Sequence, residues 1–162
     1  MSIKTYYELV KPGMVYGNAF TTLGGFLLAT HDAVDGWLLV ATIAGISLVI
    51  ASACVFNNII DQRRDALMAR TKNRSLATGE ISNKKASLYG AALGVIGFLL
   101  LIGFTNVWAV AAAAIGFFFY VFMYSMWFKP HSRWGALVGS ASGAVPPVVG
   151  YASASGRFDV AA

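Results

Sequence analysis

The sequence predicts an all-α polytopic membrane protein, and three observations lead to that fold class. Hydrophobic residues make up 57% of the chain and charged residues 12%, about half the charged share of a soluble domain. Several apolar runs exceed the roughly 18 residues that are needed to cross a bilayer. These runs are continuous and do not alternate in polarity, which favours helices over transmembrane strands.

Five spanning helices are predicted, and local signals separate them. Pro12 suits the first turn of the first helix, where its missing N–H is not needed. The polar segments THDAVDG and GFTNVW divide neighbouring apolar runs, and Pro146-Pro147 interrupts helical hydrogen bonding in the last one. Residues 1–162 therefore form part of a single membrane domain. The predicted helices cover residues 13–30, 37–60, 86–104, 107–128 and 134–154, each bound being uncertain by about 2–4 residues.

Residues 66–85 form a long connection between the second and third predicted helices. Gly79 is expected in a turn and Ser82 at the N-cap of a helical lead-in. A connection of this length is typical of a lid over a site.

The basic residues are distributed almost entirely on one side of the predicted bundle. With five helices, every Lys and Arg except Arg157 falls on the side of the N-terminus. The positive-inside rule makes that side cytoplasmic. The net charge of +5 therefore indicates orientation, and nucleic acid is not expected as a partner.

The segment VFNNIIDQRRDALMARTKNR contains the strongest candidate site. Asn57, Asp61 and Asp65 are spaced i, i+4, i+8 and share one face of a helix. Two carboxylates and an amide oxygen form half of a Mg²⁺ site, because Mg²⁺ prefers few carboxylates, several waters and phosphate oxygens. Cations that can bind phosphate follow directly, so the pattern predicts a diphosphate site. These cations are Arg70, Lys72 and Arg74.

The alternative is that these charges only fix topology, with Arg63 and Arg64 pairing with the two aspartates. Three features favour a diphosphate site over this alternative. They are the regular spacing of the polar residues, their position at the end of an uncharged span, and the basic segment that follows.

The same segment resembles the first aspartate-rich motif of the UbiA-type intramembrane prenyltransferases, in the form found in their heme O synthase branch. Many family members have Asp where this chain has Asn58, and that difference favours the heme branch. The stretches LVKPGMVYGN, LATGEIS and YSMWFKPHSRWGALVGSASGAVPPVVGY extend the resemblance over the whole chain. The matching motif positions are Asn57, Asp61, Asp65, Met68, Arg70, Thr71 and Arg74.

The resemblance implies the N-terminal part of a nine-helix bundle in a bacterial inner membrane, with the aspartate motif on the cytoplasmic side. The implied reaction transfers a farnesyl group from farnesyl diphosphate to the 2-vinyl group of heme B and gives heme O. Mg²⁺ is the implied cofactor, and heme B, farnesyl diphosphate, the lipid bilayer and the assembly machinery of heme-copper oxidases are the implied partners. The family's second aspartate motif has no counterpart after Asp65, so we expect a front portion that is inactive alone.

Other polar and aromatic residues are candidates for the same site. Lys129 and Arg133 are predicted to hold diphosphate or heme propionates, and His131 to contact heme iron; the alternative is a plain basic turn. Tyr120 and Tyr124 are predicted, with Asn58, to line a heme or prenyl pocket; an interfacial aromatic belt is the alternative for the tyrosines.

Two other functions stay open at the level of sequence. One is a UbiA-type enzyme with a quinone precursor or chlorophyllide as acceptor. The other is a noncatalytic membrane bundle whose basic loop binds anionic lipid.

Overall fold

The computed structural model describes residues 3–30, 33–129 and 135–157, and this part of the chain forms helices, turns and loops without any strand. The predicted all-α class is therefore confirmed for the described residues. α5 passes directly into a π-helical segment. The elements are α1 (Ile3–Leu9), α2 (Pro12–Ala29), α3 (Gly36–Asp65), α4 (Asn83–Phe104), α5 (Val107–Phe118), the π segment (Phe119–Phe128), α6 (Gly135–Gly143) and α7 (Val145–Ser155).

Polar side chains define the starts of the long helices. Asp35 Oδ1 accepts hydrogen bonds from the backbone N–H groups of Trp37 and Leu38, both at 3.0 Å, and so caps α3. The predicted N-cap Ser82 is confirmed at the start of α4. Asn106 caps α5 and also donates to the Ala152 carbonyl at 2.7 Å, which ties the start of α5 to α7.

Two predicted helix bounds are wrong for identifiable reasons. α3 continues five residues past position 60, because the polar side chains at its end are buried and hydrogen bonded by other segments. The predicted single helix over 134–154 is two helices that meet at Ala144, since Pro146 and Pro147 lack the N–H groups that a continuous helix requires. Residue 134 itself lies outside the described residues.

Three helical stretches in the described part of the chain are long and apolar enough to cross a membrane: Gly36–Asp65, Asn83–Phe104 and Val107–Phe128. The prediction of five spanning helices is not confirmed. α2 has 18 residues, but they include four glycines, two threonines and an asparagine. α6 and α7 have 9 and 11 residues, each shorter than the roughly 20 that span a bilayer.

α3 is the central helix, because it contacts α1, α2, α4, α5, the π segment and α7. Glycines allow the closest helix approaches. A Cβ at Gly25 of α2 would lie 2.0 Å from the Pro147 carbonyl oxygen, and one at Gly150 of α7 would lie 2.1 Å from the Thr22 carbonyl oxygen. α2 and α7 therefore pack backbone against backbone.

Candidate functional site

The polar face at the end of α3 is buried inside the protein. Asn57, Asp61 and Asp65 are only 1%, 3% and 6% exposed. All three line an open cavity of about 610 Å³ together with residues of the α1–α2 connection, the segment after α3 and the π segment. Helical spacing explains this shared face, since successive steps of four residues return to nearly the same side of a helix.

Each of these three side chains is held by a cation from a different segment of the chain. The Lys11 ammonium donates to Asn57 Oδ1 at 2.5 Å. The Lys129 ammonium pairs with Asp61 Oδ2, and Arg74 Nη1 donates to Asp65 Oδ2 at 2.7 Å. Buried carboxylates are stable only when they are paired and hydrogen bonded, so these cations account for the acidic groups in this setting.

The alternative, in which Arg63 and Arg64 of α3 pair with the two aspartates, contributes little to holding these carboxylates. Arg64 reaches Asp61 Oδ1 only at 3.9 Å, beyond hydrogen-bonding distance. Arg63 is exposed. The aspartates are therefore satisfied mainly by residues far from them in sequence.

The π segment positions the aromatic and basic side chains opposite α3. Ser125 Oγ accepts a hydrogen bond from Asn57 Nδ2 at 2.7 Å and donates to the Tyr120 carbonyl at 2.8 Å. Tyr120 and Tyr124 line the cavity, with ring centroids 5.6 Å apart, and the Lys129 ammonium lies 5.7 Å from the Tyr124 ring centroid. That distance is suitable for a cation–π contact. The widened helix thus directs three predicted site residues to one place.

The segment after α3 folds back over the cavity. Thr71 Oγ1 donates to the Asp65 carbonyl at 3.2 Å, and Gln62 Nε2 donates to the Leu76 carbonyl at 2.8 Å. Arg70 and Arg74 line the cavity, whereas Lys72 is exposed and is not among the lining residues. Of the three predicted phosphate-binding cations, the structure therefore brings two to the site.

Asn58 is turned away from the main cavity. Its Nδ2 donates to the Leu9 carbonyl at 2.8 Å, which attaches the end of α1 to α3. It lines a separate cavity of about 50 Å³ that also contacts Asp65 and Arg74. The sequence prediction placed Asn58 in a heme or prenyl pocket, but here its amide holds backbone. His131 and Arg133 lie outside the described residues.

Lys11 is a site residue that the sequence prediction missed. Its backbone has φ 52° and ψ 68°, the left-handed region that costs a residue with a Cβ roughly 1–2 kcal/mol. Burial lowers the pKa of its ammonium group. Strain and burial at one residue mark a functional position more often than a plain connection. The Lys-Pro pair before α2 could have indicated this role. In the sequence analysis, the charge of Lys11 counted only as evidence for membrane orientation.

An apolar chamber of about 120 Å³ adjoins the charged cavity on its α2–α7 side. Met14, Tyr120 and Gly139 line both spaces, so the two share a wall. The rest of its lining is largely apolar and includes Ala53 of α3 and Val145 of α7. This arrangement can hold an amphiphile with an anionic head in the cavity and a hydrocarbon chain in the chamber.

The donor set fits a Mg²⁺ ion that is only partly enclosed by protein. No group of three or more His, Cys, Asp or Glu side chains that could hold a metal occurs among the described residues. Mg²⁺ does not need one, because it usually binds one or two carboxylates and keeps waters or phosphate oxygens. Asp61 Oδ1 is buried and has no hydrogen-bond partner, which costs about 1–3 kcal/mol unless a ligand occupies it. This free oxygen is the point at which a metal would bind.

Comparison with known families identifies the chain. The model of the UbiA prenyltransferase family matches residues 18–162. The chain belongs to the UbiA prenyltransferase family. The predicted family is therefore confirmed, and the buried Asn-Asp-Asp face lies within the matched region.

Relatives within the UbiA family have high identity to this chain. It is 51% identical to protoheme IX farnesyltransferase 2 of Chromobacterium violaceum over 162 residues, which are 100% of the chain and 54% of that relative. It is 52% identical to protoheme IX farnesyltransferase of Marinomonas sp. over 159 residues, 98% of the chain and 54% of the relative. The enzyme of the same name from Yersinia pestis is 48% identical over 100% of the chain and 55% of its own length. The chain spans about half the length of these relatives.

A solved structure supports the fold. A structure described as giving insights into digeranylgeranylglyceryl phosphate synthase in membranes superposes with a TM-score of 0.82. The match covers 91% of this chain and 52% of that one, at 23% identity. The two chains therefore share a helical fold.

Proposed function

We propose that this chain provides the first acidic motif and the prenyl chamber of a heme B farnesyltransferase. The proposed reaction transfers the farnesyl group of farnesyl diphosphate to the 2-vinyl group of heme B and gives heme O. The names of the relatives, at about 50% identity over essentially the whole chain, support this choice. Because the chain spans about half of their length, the activity is proposed for a protein of that full length.

The observation on which the proposal depends is the charged cavity at the end of α3. Two aspartates face it, and cations from three other segments surround them: Lys11, Arg74 and Lys129. A diphosphate that leaves an allylic carbon takes the bonding electron pair with it. Fixed positive charge lowers the energy of that step because it already lies where the negative charge develops.

Asn57, Asp61 and Asp65 would hold Mg²⁺ in this site. When bound, the ion neutralises charge on the departing diphosphate. The chain's own contribution is to orient the leaving group through Arg70 and Arg74 of the segment after α3 and Lys129 at the end of the π segment, all of which line the cavity. Lys72 is exposed and remains a predicted phosphate-binding residue. Its side chain would reach the diphosphate after a rearrangement of the segment that follows α3.

The apolar chamber supplies the second requirement of the reaction. A farnesyl chain whose first isoprene unit enters the chamber would leave its C1 carbon near Tyr120, at the wall shared with the charged cavity, and the rest of the chain would extend beyond the chamber. The Tyr120 and Tyr124 rings can stabilise the allylic cation through their π faces. The vinyl group then donates its π electrons to C1, and the new cation takes up water and releases a proton. A chamber without bulk water prevents earlier hydrolysis of the farnesyl cation.

The membrane topology belongs to the same proposal. We place the chain in a bacterial inner membrane with five crossings, the N-terminus and the cavity facing the cytoplasm. The positive-inside rule supports this placement, because nearly all Lys and Arg fall on one side. Heme and the farnesyl chain can then reach the site from the bilayer. The assembly machinery of heme-copper oxidases would contact this protein and receive the product.

The test is a prenyl-transfer assay on the full-length protein in nanodiscs with farnesyl diphosphate and Mg²⁺. Heme B, an aromatic acid quinone precursor and chlorophyllide are compared as acceptors. We expect transfer to heme B only, and a loss of at least about a hundredfold for Asp61→Asn or Asp65→Asn. Lys84→Met is the control, because Lys84 is exposed and does not line the cavity.

The remaining alternatives make different predictions in this assay. Transfer to another acceptor with the same dependence on Asp61 would support a different UbiA-type enzyme. A noncatalytic lipid-binding bundle predicts no transfer to any acceptor. It also predicts that both aspartate substitutions leave binding to anionic vesicles unchanged.

A further inference from the structure

The inference concerns how the cations at the motif would respond to a metal, and it rests on the proposed function. The two oxygens of Asp61 have different surroundings. Oδ2 pairs with the Lys129 ammonium, whereas Oδ1 is buried without a hydrogen-bond partner. One oxygen is therefore available to a metal, and the other is already occupied by a cation.

Cations also hold the other two polar side chains of the motif. Lys11 holds Asn57 Oδ1 and Arg74 holds Asp65 Oδ2. Lys129 and Arg74 thus pair directly with the two carboxylates. The third cation, Lys11, donates to the side-chain amide oxygen of Asn57. Arg64 Nη1 also lies 3.9 Å from Asp61 Oδ1, so four cations and two carboxylates meet at the motif and its formal net charge is +2. A bare divalent cation entering it would meet repulsion, because charges interact strongly where water is partly excluded.

A diphosphate reverses this balance. The complex of Mg²⁺ with a prenyl diphosphate still carries a net negative charge, so a positively charged site attracts it. Lys129 and Arg74 have the same side-chain exposure, 35%, so the attachment of each cation's segment decides which of them can move. Arg74 is more constrained, because its segment is also attached to α3 through Thr71 and Gln62.

We propose that Lys129 occupies the metal's place at Asp61 until the metal arrives together with the diphosphate. Lys129 then leaves the carboxylate and pairs with the diphosphate. Metal and diphosphate therefore bind with strong positive coupling, and the motif binds free metal weakly. This order would keep the acidic face from collecting divalent cations when no substrate is present.

The experiment measures binding of Mn²⁺, a paramagnetic substitute for Mg²⁺, to the full-length protein by electron paramagnetic resonance. Each titration is performed with and without inorganic diphosphate, and the Mn²⁺ that diphosphate binds without protein is subtracted, so no turnover is needed. In the unmodified protein we expect diphosphate to raise the Mn²⁺ affinity at least about fivefold. Equal affinity in the two titrations would overturn the inference without any variant.

Variants then identify the cation responsible. Lys129→Met removes the charge and keeps a long side chain, and we expect it to bind Mn²⁺ alone at least about fivefold more tightly. Lys129→Arg and the surface control Lys84→Met should match the unmodified protein. An unchanged Mn²⁺ affinity in Lys129→Met overturns the role of Lys129.

The outcomes separate this inference from the proposed function. Mn²⁺ binding that depends on Asp61 but not on diphosphate or Lys129 would leave the metal site intact and refute the exchange. Absence of Mn²⁺ binding even with diphosphate would refute both the metal site and the exchange.

Discussion

The close crossing of α2 and α7 gives a quantitative prediction about the chamber. Gly25→Ala would place a Cβ 2.0 Å from the Pro147 carbonyl oxygen, about 1.4 Å inside the 3.4 Å at which ordinary contact begins. The neighbouring Gly24 has nothing within 4 Å of such a Cβ, so Gly24→Ala is a matched control in the same helix. Both substitutions raise helix propensity equally, by about 0.8–1 kcal/mol. Their difference therefore isolates packing.

Overpacking of this kind costs about 1–3 kcal/mol. For a protein of this size class, each kcal/mol lowers the unfolding midpoint by about 2–4 °C. We expect Gly25→Ala to unfold roughly 2–12 °C below Gly24→Ala in a thermal assay of the detergent-solubilised full-length protein. The clash also displaces Val145 and Pro146, which line the chamber, so KM for farnesyl diphosphate should rise in Gly25→Ala alone. Equal midpoints and equal KM values would refute the backbone contact.

Three further predictions concern single side chains. Ala53→Leu partly fills the chamber and should raise the preference for geranyl over farnesyl diphosphate about tenfold in kcat/KM, whereas an unchanged ratio would exclude Ala53 from the chain pocket. Asn58→Ala removes the hydrogen bond to Leu9, worth about 1 kcal/mol, and should speed hydrogen exchange in α1; equal exchange would contradict that attachment. Gly79 has φ 76°, so Gly79→Ala should destabilise the loop by about 1–2 kcal/mol and Gly79→Asn by less, measured by hydrogen exchange over residues 66–82.

Periodicity and polarity made the helical class and the shared motif face predictable. The spacing of Asn57, Asp61 and Asp65 fixes one face of any α-helix, and a carboxylate on that face needs partners wherever it is removed from water. Caps such as Ser82 depend on neighbouring residues alone and were also predictable. What the motif binds stays a prediction, because the spacing determines where the side chains lie and not their ligand.

Features that depend on distant contacts could not be predicted. Lys129 pairs with Asp61 from 68 residues away, and Lys11 meets Asn57 from 46 residues away. Nothing local indicates the π segment, whose wider turns are held by Ser125 and its bond to Asn57. Asn57 and Asn58 are adjacent in α3, and only tertiary packing decides that Asn57 lines the main cavity while Asn58 bonds to the Leu9 carbonyl.

The long separation between Asp61 and its partner has a consequence for biosynthesis. Ribosomes add about 5–20 residues per second, so the carboxylate would emerge about 3–14 s before Lys129, which follows it by 68 positions. A charge at the centre of a newly inserted segment would be exposed to lipid during that interval. At the end of α3 the nascent carboxylate can instead wait in the hydrated headgroup layer. The motif's place near the boundary thus suits the order in which the ribosome delivers its parts.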